Sequence, residues 1–187
     1  MILRPFMLRR IKQDVEEISL PPKKEIYLYV GWSKLQRQVY KNLILYRIPN
    51  PGFGKKDRPY QNMVMQMRKI AIHPYLFPGV EDENSETFGD HLIENSGKFK
   101  MLDKLLHKLF ANGHRCLIFS QFVIALNVVE DYCIYSGWKF CRIDGNVGLE
   151  EREEQVADFC SQDDKGDYNT DKFLFLVSTR AGGLGLN

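Results

Sequence analysis

Residues 96–187 predict an α/β domain built on a parallel sheet with helices on both faces, preceded by an irregular helical half. Two observations carry that prediction. First, the apolar runs RCLIFS, KFCRID and KFLFLVS alternate with amphipathic helical stretches, the pattern of strand–helix–strand units. Second, these runs are rich in Ile, Leu, Phe and Val throughout, as strands covered on both faces are. The earlier residues show no such alternation and are broken by prolines, glycines and charge clusters.

In chain order, residues 6–18 (FMLRRIKQDVEEI) read as a short amphipathic helix, with Phe6, Leu8, Ile11, Val15 and Ile18 at three- and four-residue steps. Pro21-Pro22 ends it, because proline cannot continue a helix and restricts its predecessor. KKEIYLYVGW alternates like a strand. Ser33 can cap the helix SKLQRQVYKNLILY, which would turn Leu35, Val39, Leu43 and Ile44 inward. RIPNPGFGKKDRP is a loop by composition, residues 61–73 are helical up to His73-Pro74, and GVEDENSETFGD is an acidic surface loop. Then come helix Phe99–Phe110, strand RCLIFS, helix Val123–Tyr135, strand KFCRID, helix Glu150–Phe159, the polar loop SQDDKGDYNTD and strand KFLFLVS.

Composition narrows the class. With 187 residues there is enough chain for one sizeable core, and a net charge of +2 means that any anion-binding surface must arise from local clustering. The cysteines 116, 133, 141 and 160 form no CxxC pair, and three lie in apolar runs as reduced core residues do, which points away from secretion. The N-terminus lacks the apolar segment of a signal peptide, and no run approaches the roughly 20 apolar residues of a membrane span.

In an open parallel sheet, ligands gather at the carboxyl ends of the strands. Those ends are Ser120-Gln121, Asp144-Gly145-Asn146 and Ser178-Thr179-Arg180-Ala181-Gly182-Gly183, all carrying donors suited to phosphate oxygens. Polar turn residues alone would also account for any one of them. A phosphate-cradling G-x-x-x-x-G-K-[ST] loop is missing: NSGKFK has Phe99 in place of the metal-binding hydroxyl, and GFGKKD fails likewise. The chain therefore lacks the parts of a complete ATPase site.

At these same strand ends, LIFSQF, RIDGNVGLEER and FLFLVSTRAGGLGLN resemble helicase motifs IV, IVa and V of the SNF-type chromatin-remodelling ATPases. LRPFMLRRIKQDVE…LPPKKE, VGWSKLQRQVY, MVMQMRKIAIHPYLF and NSGKFKMLDKLL fit as well, in wording nearest the imitation-switch (ISWI) subfamily. The resemblance covers nearly the whole chain. It implies a RecA-like parallel sheet flanked by helices, the P-loop NTPase fold of a second helicase lobe, truncated after motif V. It further implies a linking helix over residues 1–22, a helical protrusion and lobe start over 23–95, and the RecA-like lobe over 96–187. The implied activity is that of a nuclear, ATP-dependent double-stranded-DNA translocase acting on nucleosomes. ATP and Mg²⁺ would be bound jointly with a first lobe of the same protein, and a fragment ending before motif VI would be inactive alone, bind DNA weakly, be monomeric and touch no membrane.

Carried over residue by residue, the resemblance places Ser120, Gln121, Thr179 and Arg180 on DNA phosphates, with Gly182 and Gly183 allowing close approach. Gly185 and Asn187 would face the nucleotide, and Asp144, Gly145 and Arg152 would shape the motif IVa turn. Beside these stand plainer readings. Ser120 and Gln121 can satisfy local backbone groups, Asp144 suits a turn-former or helix cap, and Arg152 suits a surface ion pair with its glutamate neighbours. Two departures from the family pattern are Val147, where Thr is frequent, and AIHP in place of Cys-Asn-His-Pro. Rival readings are a histone-tail docking module using acidic stretches that include Glu130-Asp131, and the equivalent lobe of an RNA helicase.

Overall fold

The structure, a computed structural model, describes residues 23–46, 62–81, 88–161 and 172–181. The expected helix over 6–18 and the loop RIPNPGFGKKDRP lie outside the described residues, as does most of SQDDKGDYNTD. The elements in order are α1 (Lys34–Tyr46), α2 (Met63–Ile72), a 3₁₀ turn (Pro74–Leu76), α3 (His91–Glu94), α4 (Gly97–Ala111), β1 (Cys116–Ser120), α5 (Val123–Tyr135), β2 (Phe140–Ile143), α6 (Leu149–Cys160) and β3 (Leu174–Ser178).

The three strands form one parallel sheet in the order β1-β3-β2. The chain passes from β1 to the far edge at β2 through α5, then returns to the centre through α6. Right-handed crossovers running in opposite directions put their helices on opposite faces. The packing agrees: Leu174 and Leu176 of β3 pack with Leu126, Val129 and Tyr132 of α5 and Leu106 of α4. Phe175 and Val177 point the other way, onto Cys141 and Ile143 of β2 and Val156 and Phe159 of α6. Every residue of β3 is buried, which is why its sequence is apolar without alternation. On the α6 face of the edge strand β1, Leu117 and Phe119 are each 55% exposed.

Both helices that precede an edge strand stop at a glycine. Gly113 after α4 and Gly137 after α5 take φ of 71° and 70°, the left-handed geometry in which a side chain would be strained. Around Gly137, the N–H of Trp138 donates to the carbonyl of Cys133 at 2.9 Å, closing the helix end.

The helical half has its own small core of Val39, Leu43, Ile70 and Phe77. Ser33 and Gln36 form a reciprocal cap on α1: Gln36 N donates to Ser33 Oγ at 3.1 Å, and Ser33 N donates to Gln36 Oε1 at 3.0 Å. Two expectations need correction here. Ile44 is 48% exposed, whereas Gln36 is fully buried and takes part in the inward stripe with Val39 and Leu43. Gln36 is tolerated inside because its amide is bonded at both ends, to the Ile70 carbonyl at 2.8 Å and from the Gly97 N–H at 3.0 Å. KKEIYLYVGW is not a strand: residues 23–32 carry no strand assignment, and Ile26 and Tyr29 are 69% and 94% exposed. Alternation favours an extended chain, but a strand also needs a neighbour to complete its hydrogen bonds.

Candidate nucleic-acid interface at the strand ends

Parallel register brings the carboxyl ends of all three strands level. Ser120 stands beside Ser178, and Ile143, the residue before Asp144, stands beside Val177. The ladder runs one step further, because Thr179 N donates to the Ser120 carbonyl at 2.9 Å. Ser178 is buried, and its Oγ accepts from Ala181 N at 3.3 Å, folding the chain back just after the strand. Thr179 and Arg180 sit on the outside of that turn and are both exposed.

The strand-end residues have different surroundings. Ser120 Oγ donates to the Phe122 carbonyl at 3.1 Å and accepts from Phe122 N at 3.2 Å. A hydroxyl has one proton, so this side chain is held by its own turn, as local serine bonding does. Gln121 is exposed, and its Oε1 accepts from Arg68 Nη2, which leaves its donor end, the amide NH₂, facing outward from that bond.

Asp144 is buried and serves as a turn-former. Its Oδ1 accepts from Asn146 N at 2.9 Å, while Oδ2 accepts from Arg142 Nε at 3.2 Å and Nη2 at 2.8 Å. The Asn146 N–H and the Arg142 guanidinium hold its carboxyl below the ordinary range against the opposing effect of burial. Gly145 is exposed, and a Cβ there would meet nothing within 4 Å, so the turn does not demand a glycine. Arg152 is half-buried on α6, and its Nη1 lies 3.5 Å from the Ala181 carbonyl, tying α6 to the β3 turn. Gly182, Gly183, Gly185 and Asn187 lie outside the described residues.

Arg142 on β2 is a hub that sequence reasoning missed. It bonds Asn127 Oδ1 at 2.7 Å and pairs with Asp144 and with Glu130. Glu130 is therefore engaged within the fold. Its neighbour Asp131 instead lines a cavity of about 290 Å³ together with Glu81. Burial raises the pKa of both carboxyls, and Glu81 is raised further by the charge of Asp131 while nearby His91 draws it down. KFCRID itself holds the Arg142–Asp144 pair, but nothing in it shows that Asn127 and Glu130 of α5 will join the same guanidinium.

Two family profiles match the chain: the SNF2-related domain over residues 1–76 and the helicase conserved C-terminal domain over 97–187. The human "SWI/SNF-related matrix-associated actin-dependent regulator of chromatin subfamily A member 1" is 48% identical over 188 residues, covering 100% of this chain and 17% of that protein. The "ISWI chromatin-remodeling complex ATPase CHR11" of Arabidopsis thaliana is also 48% identical, over 100% of this chain and 17% of its own length. The chain thus spans about a sixth of the curated relatives it matches. Among solved structures, the Sulfolobus solfataricus SWI2/SNF2 ATPase C-terminal domain superposes with a TM-score of 0.63 at 19% identity, covering 86% of this chain and 65% of that one. The SWI2/SNF2 ATPase core of the same organism in complex with double-stranded DNA does so with a TM-score of 0.63 at 21% identity, covering 95% and 36%. These superpositions agree with a RecA-like lobe built on the parallel β1-β3-β2 sheet. With identity near one-half along its whole length and both profiles matched in order, the chain carries SNF2-related and helicase conserved C-terminal domain sequence and is similar throughout to the SWI/SNF- and ISWI-type chromatin-remodelling ATPases.

Proposed function

We propose that this chain is the second RecA-like lobe of an ISWI-like, ATP-dependent nucleosome-remodelling translocase of double-stranded DNA. The observation that carries the reading is the level row of strand ends, where Gln121, Thr179 and Arg180 stand exposed on a rigid parallel sheet. Donors fixed along one edge suit evenly spaced phosphates, which position a duplex without reading its sequence. The DNA-bound archaeal core with the same fold supports this assignment. Residues 1–22 act as the linking helix, 23–95 as the protrusion and lobe start, and 96–187 as the gripping lobe.

In the whole nuclear protein, ATP with Mg²⁺ between the two lobes supplies in-line phosphoryl transfer to water. Closing of the lobes moves Gln121, Thr179 and Arg180 along a DNA strand, and opening advances the grip. Gly185 and Asn187 would face the nucleotide. The Mg²⁺ ligands are assigned to the first lobe. Alone, the chain is a monomer that turns over no ATP and binds DNA weakly.

The test is an NMR titration of the chain with a short duplex at two salt concentrations. Salt-sensitive shifts centred on Gln121, Thr179 and Arg180, reduced in Arg180→Gln, are expected. No shifts at these residues would sink the proposal. A second reading is favoured by the shared cavity of Asp131 and Glu81, which suits a basic side chain of a histone tail. Shifts there on adding a basic tail peptide, and none with DNA, would replace the gripping role with docking.

A further inference from the structure

The helical half places a cation beside the strand-end row. Arg68, on α2, donates from Nη2 to Oε1 of Gln121, and its guanidinium carbon stands 5.7 Å from the centroid of the Phe122 ring. Two contacts from the end of β1 thus hold a long side chain that would otherwise sample many rotamers. The bond to Gln121 uses one of the five guanidinium N–H donors, and both partners are neutral, so the positive charge is left uncancelled. Arg68 is exposed, with no carboxylate partner among the described residues.

Its setting points to an anion. Arg68, Lys98, Ser120 and Gln121 line one cavity of about 510 Å³ between α2, α4 and β1, and no Asp or Glu among the described residues lines it. The remaining lining is largely apolar, including Leu102 and Ile118, so the cations stand against a low-dielectric wall that strengthens their field. An isolated surface arginine has neither feature.

We propose that Arg68 is a DNA-backbone contact that carries the phosphate track from the strand ends onto the helical half, with Gln121 as its positioning residue. The inference rests on the reading of the strand ends as a DNA grip. It also gives the paired side chains a division of labour: the Gln121 carbonyl orients Arg68, and the Gln121 amide NH₂ remains free to donate to the same backbone.

The experiment is fluorescence anisotropy of the 187-residue chain with a labelled random-sequence duplex between about 50 and 200 mM salt. Arg68→Gln is expected to weaken binding to all sequences alike and to reduce the slope of log K against log salt by about 0.9. Arg68→Lys is expected to keep the slope, and Gln121→Ala to keep the slope while weakening affinity. A mere strut between α2 and β1 would instead lower the melting temperature without changing the slope, and that result overturns the proposal. A second measurement needs no variant: bound duplex is expected to protect Arg68 from phenylglyoxal, read by mass spectrometry, and full labelling in the complex overturns the proposal. If Arg180→Gln weakens binding while Arg68→Gln does not, only this inference falls. If the chain binds no duplex at all, the gripping role falls with it.

Discussion

His73 shows how a single side chain can be made wholly structural. It is buried in an extended conformation between α2 and the 3₁₀ turn, and its two ring nitrogens are both engaged. Nδ1 accepts from Tyr75 N at 3.1 Å, and Nε2 lies 2.8 Å from the Leu92 carbonyl, so the neutral ring carries its proton on Nε2. Burial lowers its pKa from 6.5 to about 4, even though the bond to Leu92 acts the other way. Because the folded pKa is the lower one, the unfolded chain binds the proton more readily between these values. Stability from this group is therefore complete above about pH 6.5 and falls as pH drops toward 4, by about 3 kcal/mol in all. Chemical denaturation of the chain and of His73→Gln across this range checks the prediction; equal pH slopes in the two would refute it.

At the scale of elements, the helical half and the sheet meet in a seam of polar bonds. Ser33 Oγ donates to the Asn95 carbonyl at 2.6 Å, Ser96 Oγ to the Ile72 carbonyl at 2.7 Å, and Gln36 bridges Ile70 and Gly97. Gly97, at the start of α4, lies so close to Gly31 that a Cβ would run into the Gly31 carbonyl oxygen. The obstacle is backbone, which cannot rotate away. Gly97→Ala is expected to destabilise the chain by about 1–3 kcal/mol despite the better helix propensity of alanine, measured as a shift in denaturation midpoint. A neutral or stabilising result would mean that the seam opens easily. Arg68 crosses the same seam nearer the strand ends, so its proposed DNA contact depends on α2 staying where the seam holds it.

At the scale of the whole molecule, the two tryptophans report on different regions: Trp32 packs against the small core of the helical half, and Trp138 against the main core. The seam joins the two cores, so they are expected to unfold together. Leu176→Ala, at a fully buried position on the central strand, should cost about 2–5 kcal/mol. Single-tryptophan variants should show both fluorescence transitions moving to lower denaturant by the same amount. A Trp32 transition that stays in place would show two independent units. The DNA-gripping role favours a single unit, because a grip shared between α2 and the strand ends works only if they move together.

The residues of 96–187 by themselves determined the α/β class, the parallel sheet and nearly every element in it. An apolar strand run and a helical period are local signals, and both survive whatever the chain packs against. The same holds for the strand ends, whose place at one edge follows from parallel connection alone. Three things were decided only in the tertiary structure. KKEIYLYVGW alternates correctly but has no strand assignment, because pairing depends on a neighbour and not on pattern. Gln36 replaces Ile44 on the inward stripe because partners at Ile70 and Gly97, far along the chain, satisfy its amide. Arg142, Glu130 and Asp144 join, and Arg68 reaches Gln121, through contacts between residues up to 53 positions apart. Satisfying the buried amide of Gln36, and the reach of Arg68 from α2 to the end of β1, depend on partners that no local stretch of sequence contains.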